Sequence, residues 1–325
     1  MRQRERPEFH HDAPPGRSRF FPRVEVVALR RVLLLVNPAS RGGARLEPRA
    51  TQAFAQAGVI CESRRTTHPG HAAALAAQVG GDYDAVFTLG GDGTVMEVLG
   101  ALAESNTPIG ILPGGTGNLV ARALSIPMSV SRAVTVLSAG STRRVDLGRL
   151  GDGRVFAFAA GVGIDATMVG QTTAAAKRRF GVAAYLATAL RASLALDAFT
   201  LRATVDGVPH RFRATAAVVA NFGSVLHGLL HLGPAISAND GMLDLCVFSP
   251  ANVRDALRIG WRMARNDFGT DPAMQFVRGR HISLDTEPAR AAQADGELLG
   301  STPLDIEVVP AAALLLVPSG DLLHT

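Results

Sequence analysis

Apolar and polar positions along the chain fall into two regimes. Up to about residue 138, short solid apolar runs alternate with stretches whose apolar residues recur every three or four positions. Arg31-Val32-Leu33-Leu34-Leu35-Val36 is a run of buried-strand length; residues 59–66, 84–89 and 109–112 read as further strands. Residues 46–57, 71–79 and 129–138 carry helical spacing. This β-α-β-α rhythm predicts an α/β domain with a doubly wound parallel sheet, whose ligands sit at the carboxyl ends of the strands. From Arg144 onward short alternating runs take over: 154–160, 200–206, 211–219, 243–248, 281–285 and 304–309. The turn signals Asp206-Gly207, Asp240-Gly241 and Asp295-Gly296 separate many of them. They predict an antiparallel, β-sandwich-like C-terminal domain, interrupted by helices near 180–196 and 253–265. The expected limits are a basic tail without periodicity at 1–29, an α/β domain at 30–145 and a β-rich domain at 146–325. A return of the last strand to the first domain stays open.

Composition narrows the class. The 325 residues are 47% hydrophobic and 19% charged, which suits a globular chain. No apolar run approaches the ~20 residues needed to span a bilayer. The N-terminal arginines lack the apolar stretch of a secretory leader, so a cytoplasmic protein is expected. Cys61 and Cys246 stand far apart with no CxxC spacing, which argues against a disulfide framework or a zinc site. His227 and His231 have helical metal-ligand spacing but no third ligand. The net charge of +5 and pI near 10.1 suit polyanions such as nucleotide phosphates or anionic lipid headgroups. No nucleic-acid motif is present, and no nucleic-acid partner is expected.

The candidate chemistry lies in two glycine turns, Gly90-Gly91-Asp92-Gly93-Thr94 and Pro113-Gly114-Gly115-Thr116-Gly117-Asn118. Each follows a strand-like run and precedes a helix-like one. Glycines let backbone approach an anion, and a helix N-terminus offers unpaired N–H groups, so the pair can hold a di- or triphosphate. A bare Asp92 carboxylate would repel that ligand; a Mg²⁺ ion bridging carboxylate and phosphate oxygens resolves the conflict. Thr94 can donate its hydroxyl to phosphate while capping the helix. The plainer reading is an Asp-Gly turn that caps a helix. The turns match neither a Walker A loop nor a GxGxxG fingerprint. Late in the chain, Asp295 and Glu297 alternate along what reads as one extended stretch and so share a face. A weakly nucleophilic hydroxyl would need such a carboxylate as general base. The alternative is a hairpin turn with a solvated flank.

In their order and spacing these motifs resemble the diacylglycerol kinase catalytic domain of soluble bacterial lipid kinases, related to sphingosine and ceramide kinases. The matching pieces are Asn37-Pro38 with Gly42-Gly43, Thr66 with Gly70-His71-Ala72, the two glycine turns with Glu97, Gly161-Val162-Gly163-Ile164-Asp165, Lys177-Arg178-Arg179 with Tyr185, Asn239-Asp240-Gly241-Met242, and Asp295-Gly296-Glu297. The resemblance implies phosphorylation of a lipid hydroxyl, diacylglycerol first, with ATP and Mg²⁺. It implies an ATP site lined by Gly90, Gly91, Asp92, Gly93, Thr94, Val95, Met96, Thr66, Thr116 and Asn118, with Asn37 beside the phosphates. It implies catalytic roles for Glu297, Asp295 and Asp92, Glu297 being the base. It also implies a structural Mg²⁺ at Asp240, helped by the carbonyls of Ser237 and Met242. Leu119-Val120 stands where many relatives have Asp followed by Phe, so the acceptor is less well specified. Segment 221–235 is more apolar than the usual glycine-rich version and suits an acyl chain.

The acceptor lives in a bilayer, so the chain should work at the periphery of an anionic membrane. Lys177, Arg178, Arg179 and Arg191 are the candidate contacts, and a homodimer stays open. Three other readings remain: a sphingoid-base, ceramide or other lipid-alcohol kinase; an NAD kinase, which shares the first turn; and a nucleotide- or lipid-binding regulator without turnover.

Overall fold

A computed structural model describes residues 25–26, 28–79, 82–163, 198–225 and 230–319. The short strand β1 (Glu25–Val26) lies within the stretch expected as tail. The parallel strands β2 (Arg31–Val36), β3 (Ile60–Arg65), β4 (Ala85–Gly90) and β5 (Ile109–Pro113) line up as β3-β2-β4-β5. β4 and β5 are buried along their whole length, as central strands covered on both faces must be. Two helix pairs accompany them: α1 (Gly43–Gln56) packs with α5 (Val130–Ser138), and α2 (His71–Ala77) with α3 (Asp92–Ala101). The short α4 (Leu119–Ala123) follows the second glycine turn.

The second domain is built on β6 (Ser141–Leu150), β7 (Val155–Phe156), β8 (Ala159–Val162), β9 (Phe199–Val205), β10 (Val208–Ala214), β11 (Ala216–Ala220), β12 (Ser224–Val225), β13 (Leu230–His231), β14 (Leu243–Phe248), α6 (Val253–Ala264), β15 (Met274–Gly279), β16 (His281–Glu287), β17 (Ala291–Ala294), β18 (Glu297–Ser301) and β19 (Leu304–Val317). One sheet runs β15-β14-β11-β8-β17-β18; the other, β10-β9-β16-β19, continues into β5 and the parallel sheet. Leu201, Ala203, Val219, Leu245, Ile282 and Leu284, drawn from both sheets, fill one buried cluster. The expected C-terminal β-sandwich architecture is therefore present.

Two runs expected as single strands are divided. Residues 211–219 break at Thr215, because β10 pairs with β9 in one sheet while β11 pairs with β14 and β8 in the other. Residues 154–160 break likewise into β7, paired with β6, and β8, paired with β11 and β17. In contrast, the run expected at 304–309 extends to Val317. Its far end pairs antiparallel with β6 and, at Leu315, parallel with Ile109 of β5.

β6 and β19 are thus a two-stranded tie through both domains, bulged between Val309 and Ala313. Asp146, 2% exposed, fills the bulge: its carboxylate accepts the N–H of Ala311 at 2.7 Å and that of Gly241 at 2.7 Å. The boundary expected at 143–146 therefore falls inside a continuous strand rather than a linker. The helix expected at 180–196 and the basic residues Lys177, Arg178, Arg179 and Arg191 lie outside the described residues. No helix among the described residues is long and apolar enough to cross a membrane.

Candidate active site

The carboxyl ends of the four parallel strands form the floor. Asn37 follows β2, its N–H bonded to the Leu89 carbonyl at 3.0 Å. Thr66 follows β3, buried, with its N–H on the Val36 carbonyl at 2.8 Å. Gly90 ends β4, Gly91 precedes α3, and Pro113 ends β5. The two glycine turns rest directly on each other. A Cβ on Gly115 would stand 2.5 Å from the Gly91 Cα, and one on Gly114 would stand 2.9 Å from the Gly90 nitrogen. The Gly114 N–H reaches the Gly90 carbonyl at 3.0 Å, and Gly42 donates to the Gly114 carbonyl at 2.8 Å. Part of the glycine requirement is therefore the contact between turns, whatever ligand lies above them.

Asp92 opens α3 after Gly91, which supplies no side-chain cap. Its two oxygens accept the N–H groups of Leu119 (2.6 Å) and Asn118 (2.9 Å). It thus anchors the second turn and the start of α4. Burial raises its carboxyl above the ordinary range, and these two N–H groups oppose the shift. Asn118 itself is left-handed, φ 49°, and closes the turn through its amide and both backbone groups of Gly115. Thr116 stands exposed on the outer side.

Thr94 caps nothing. It is buried against Gly90, and its hydroxyl takes the Asn37 amide at 3.0 Å. The expected capping role is absent, since Gly91 is the N-cap, and the hydroxyl holds the end of β2 against α3. The Val95 side chain enters the core, so it offers backbone rather than side chain to a ligand, while Met96 packs only partly against the core. Glu97 accepts the N–H groups of Gly70 (2.9 Å) and Ala72 (3.0 Å) and so fixes the start of α2. His68 and His71 stack on one another, ring centroids 4.8 Å apart.

The second domain brings two carboxylates to the same helix end. Asp295 and Glu297 do not share an extended stretch. Asp295 (φ 47°) and Gly296 (φ 89°) are the two turn residues of the β17–β18 hairpin, with Ala294 paired to Glu297; such a turn needs positive φ at both positions. The turn sends the two side chains to different tasks. Asp295 is buried and accepts from Ala157 (2.7 Å), Phe158 (3.0 Å) and Ala159 (2.8 Å). Burial pushes its carboxyl up to about 6; the three N–H groups oppose this and the charge of Asp92 adds to it. Glu297 stays exposed, but its Oε1 lies over the first turn of α3, where a Cβ on Gly93 would come within 2.8 Å. Asp92, Asp295 and Glu297 thus converge from two domains.

Around Asp240 the arrangement differs from the expected metal site. Its carboxylate is ion-paired with Arg278 and accepts the Met242 N–H at 3.2 Å. Arg278 also reaches Asp244 at 3.5 Å. Burial pushes the Asp244 carboxyl up to about 6; Arg278 opposes the shift and Asp240 adds to it. The Ser237 hydroxyl turns to Asn239 at 2.6 Å. Among the described residues no group of three His, Cys, Asp or Glu side chains is placed to hold a metal. Arg278 supplies positive charge beside Asp240, where the structural Mg²⁺ was expected. The roles of Asp146 and Arg278 were missed in the sequence. The available signal for Asp146 was a lone carboxylate in the apolar run Val145-Asp146-Leu147; a surface-type arginine gives none.

Comparison with known proteins agrees with this architecture. Residues 31–150 match the diacylglycerol kinase catalytic domain, and residues 159–317 match the YegS C-terminal NAD kinase beta sandwich-like domain. A Staphylococcus haemolyticus protein named "Putative lipid kinase SH2167" is 30% identical over 243 residues, covering 72% of this chain and 77% of the relative. The chain belongs to the diacylglycerol kinase-like family. A Bacillus subtilis protein named "Diacylglycerol kinase" is 28% identical, covering 78% of this chain and 84% of that one. A Synechocystis protein named "Uncharacterized protein sll0036" is also 28% identical, and the chain spans 54% of its length. In fold, the chain is similar to the "Crystal structure of a putative diacylglycerol kinase from Bacillus anthracis str. Sterne", with a TM-score of 0.73 at 24% identity over 90% of this chain and 98% of that one.

Proposed function

We propose that this chain transfers the γ-phosphoryl group of ATP to a lipid hydroxyl, that of diacylglycerol first, giving phosphatidate. The observation that carries the reading is the convergence of Asp92, Asp295 and Glu297 on the N-terminal turn of α3, beside two interlocked glycine turns. Helix N-terminal N–H groups and close glycine backbone suit phosphates. Gly90 through Met96, Thr66, Thr116 and Asn118 would line the nucleotide, with Asn37 at its phosphate end. Mg²⁺ bound with ATP would neutralise phosphate charge, and Asp92, which opens α3, is the carboxylate that would face it.

Glu297 takes the proton of the lipid hydroxyl. It is the member of the trio left exposed, so it is free to meet an acceptor. Asp295, committed to three N–H groups, fixes the hairpin that carries Glu297 and is a positioning residue. In-line placement across the two domains supplies most of the remaining rate. Radiolabelled ATP assayed against diacylglycerol, sphingoid base, ceramide and NAD tests the acceptor, the last three being the competing readings. Glu297→Gln keeps size but cannot accept a proton, so kcat should fall by about 10²–10⁴-fold with ATP affinity little changed. Retention of more than about a tenth of wild-type kcat rules out Glu297 as the base. Absence of turnover on every acceptor, with ATP still bound, favours a non-catalytic regulator.

A further inference from the structure

α6 carries two apolar faces. Ile259 is buried and Met263 half-buried, and they pack with Ala273, Met274, Phe248, Phe268 and Phe276. Val253, Leu257 and Trp261 are instead 48%, 57% and 64% exposed. They recur every fourth residue, so at about 100° per residue they occupy one arc of about 80°. Only Ile60, Val208 and Leu298 are comparably exposed among the described residues, and each lies on a different strand. A stripe of three on one helix is therefore a built feature rather than scatter.

Arginines border the stripe on one arc, with Arg258 and Arg262 paired to Asp255, Asp267 and Asp271. Arg254, Arg258 and Arg265 follow it on the next arc of the helix. The Arg265 guanidinium lies 5.3 Å from the centroid of the Trp261 ring. The display is also rigid. The Asn252 side chain caps the helix by accepting the Asp255 N–H at 3.0 Å. Arg258 and Arg262 both clamp the buried Asp271, at 2.9 and 3.1 Å. The inner face is held by the core and one flank by ion pairs, so the apolar stripe is fixed outward with its basic border.

We infer that α6 is the face by which this protein docks on an anionic bilayer, with Val253, Leu257 and Trp261 entering the headgroup–acyl boundary. An apolar stripe bordered by arginines, with a tryptophan on it, is the pattern of a helix lying in a membrane interface. The basic pI near 10.1 acts in the same direction. Position supports the same occupant. α6 packs on β13, β13 pairs with β12, and β12 packs on α4, the helix that leaves the second glycine turn. These contacts link the docking helix to the helix that follows the second glycine turn. The inference rests on the lipid-kinase reading for its purpose, not for its test.

Trp261 is the chain's single tryptophan, so its emission reports on this face alone. With vesicles of phosphatidylcholine containing phosphatidylglycerol, the emission should shift to the blue and be quenched by brominated acyl chains. Val253→Ser/Leu257→Ser, which keeps the probe, should weaken partitioning by at least about tenfold. Arg254→Glu/Arg265→Glu should weaken it and flatten its salt dependence. Val208→Ser, an equally exposed change elsewhere, should bind like wild type; melting curves check that each variant is folded. Three results overturn the inference: unchanged Trp261 emission while the protein co-sediments with vesicles, unaltered binding by Val253→Ser/Leu257→Ser, or a dimer that this variant converts to monomer without change in vesicle binding. Phosphorylation of a short-chain diacylglycerol in detergent micelles is scored in parallel. Docking without that activity removes the diacylglycerol-kinase reading and leaves the docking face; activity without a Trp261 shift does the reverse.

Discussion

Gly93→Ala should leave the fold intact and impair the chemistry through a single contact. The residue is the second of α3, where alanine is preferred to glycine by up to about 1 kcal/mol. The added Cβ meets little besides Glu297 Oε1, at 2.8 Å. Ordinary contact begins near 3.4 Å, so the carboxylate must withdraw by about 0.6 Å. Glu297 is exposed, so the withdrawal is structurally cheap, and the variant should melt at or slightly above the wild-type temperature. A misplacement of this size at a reacting group is worth about 10- to 100-fold in rate. The assay is initial-rate phosphorylation of diacylglycerol with radiolabelled ATP, alongside calorimetric ATP binding, which separates any loss of nucleotide affinity at this turn from the loss of rate. The double variant with Glu297→Gln separates the contact from any general effect on the turn. If Gly93 acts through Glu297, the double variant loses no more than Glu297→Gln alone. An equal factor in both backgrounds, or a Gly93→Ala enzyme with more than half of wild-type kcat, refutes the reasoning.

Asp92→Asn should weaken ATP binding and also lower stability by about 1–3 kcal/mol, because one of the Leu119 and Asn118 N–H groups loses its acceptor; thermal melting without ligand detects the second effect. Asp295 and Asp244, each near 6 in the folded chain and near 3.9 unfolded, bind more protons folded than unfolded between those values. Stability should therefore fall as pH rises from about 4 to about 6, by on the order of 2–3 kcal/mol per group, and then level off. Asp295→Asn should flatten that slope in urea titrations, whatever it does to absolute stability. Arg278→Met leaves Asp240 and Asp244 facing each other without a cation; its melting temperature should fall, and added Mg²⁺ should raise it more than it raises the wild type's. Equal Mg²⁺ responses would contradict the view that Arg278 occupies the cation's place.

Local pattern alone determined much of this protein. The solid apolar runs of β2, β4 and β5 and the helical spacing after them specified a parallel α/β sheet. The glycine turns at the strand ends marked the candidate site, because a residue without Cβ is a local requirement visible in one letter. Alternation and Asp-Gly dipeptides specified an antiparallel second domain. Assignment of strands to sheets was decided by the tertiary structure: nothing in 211–219 marks Thr215 as the point where the chain changes sheet. Asp295-Gly296-Glu297 is compatible with a straight strand or a two-residue hairpin, and only pairing of β17 with β18 chose the hairpin. The same is true of charges. A sequence shows carboxylates, but whether Asp92 faces a ligand or two backbone N–H groups, whether Asp240 meets a metal or Arg278, and whether Glu297 reaches Gly93 depend on segments far away in the chain. Periodicity encodes which face of an element is buried; it does not encode what lies across the gap, because that partner is chosen by the packing of the whole chain.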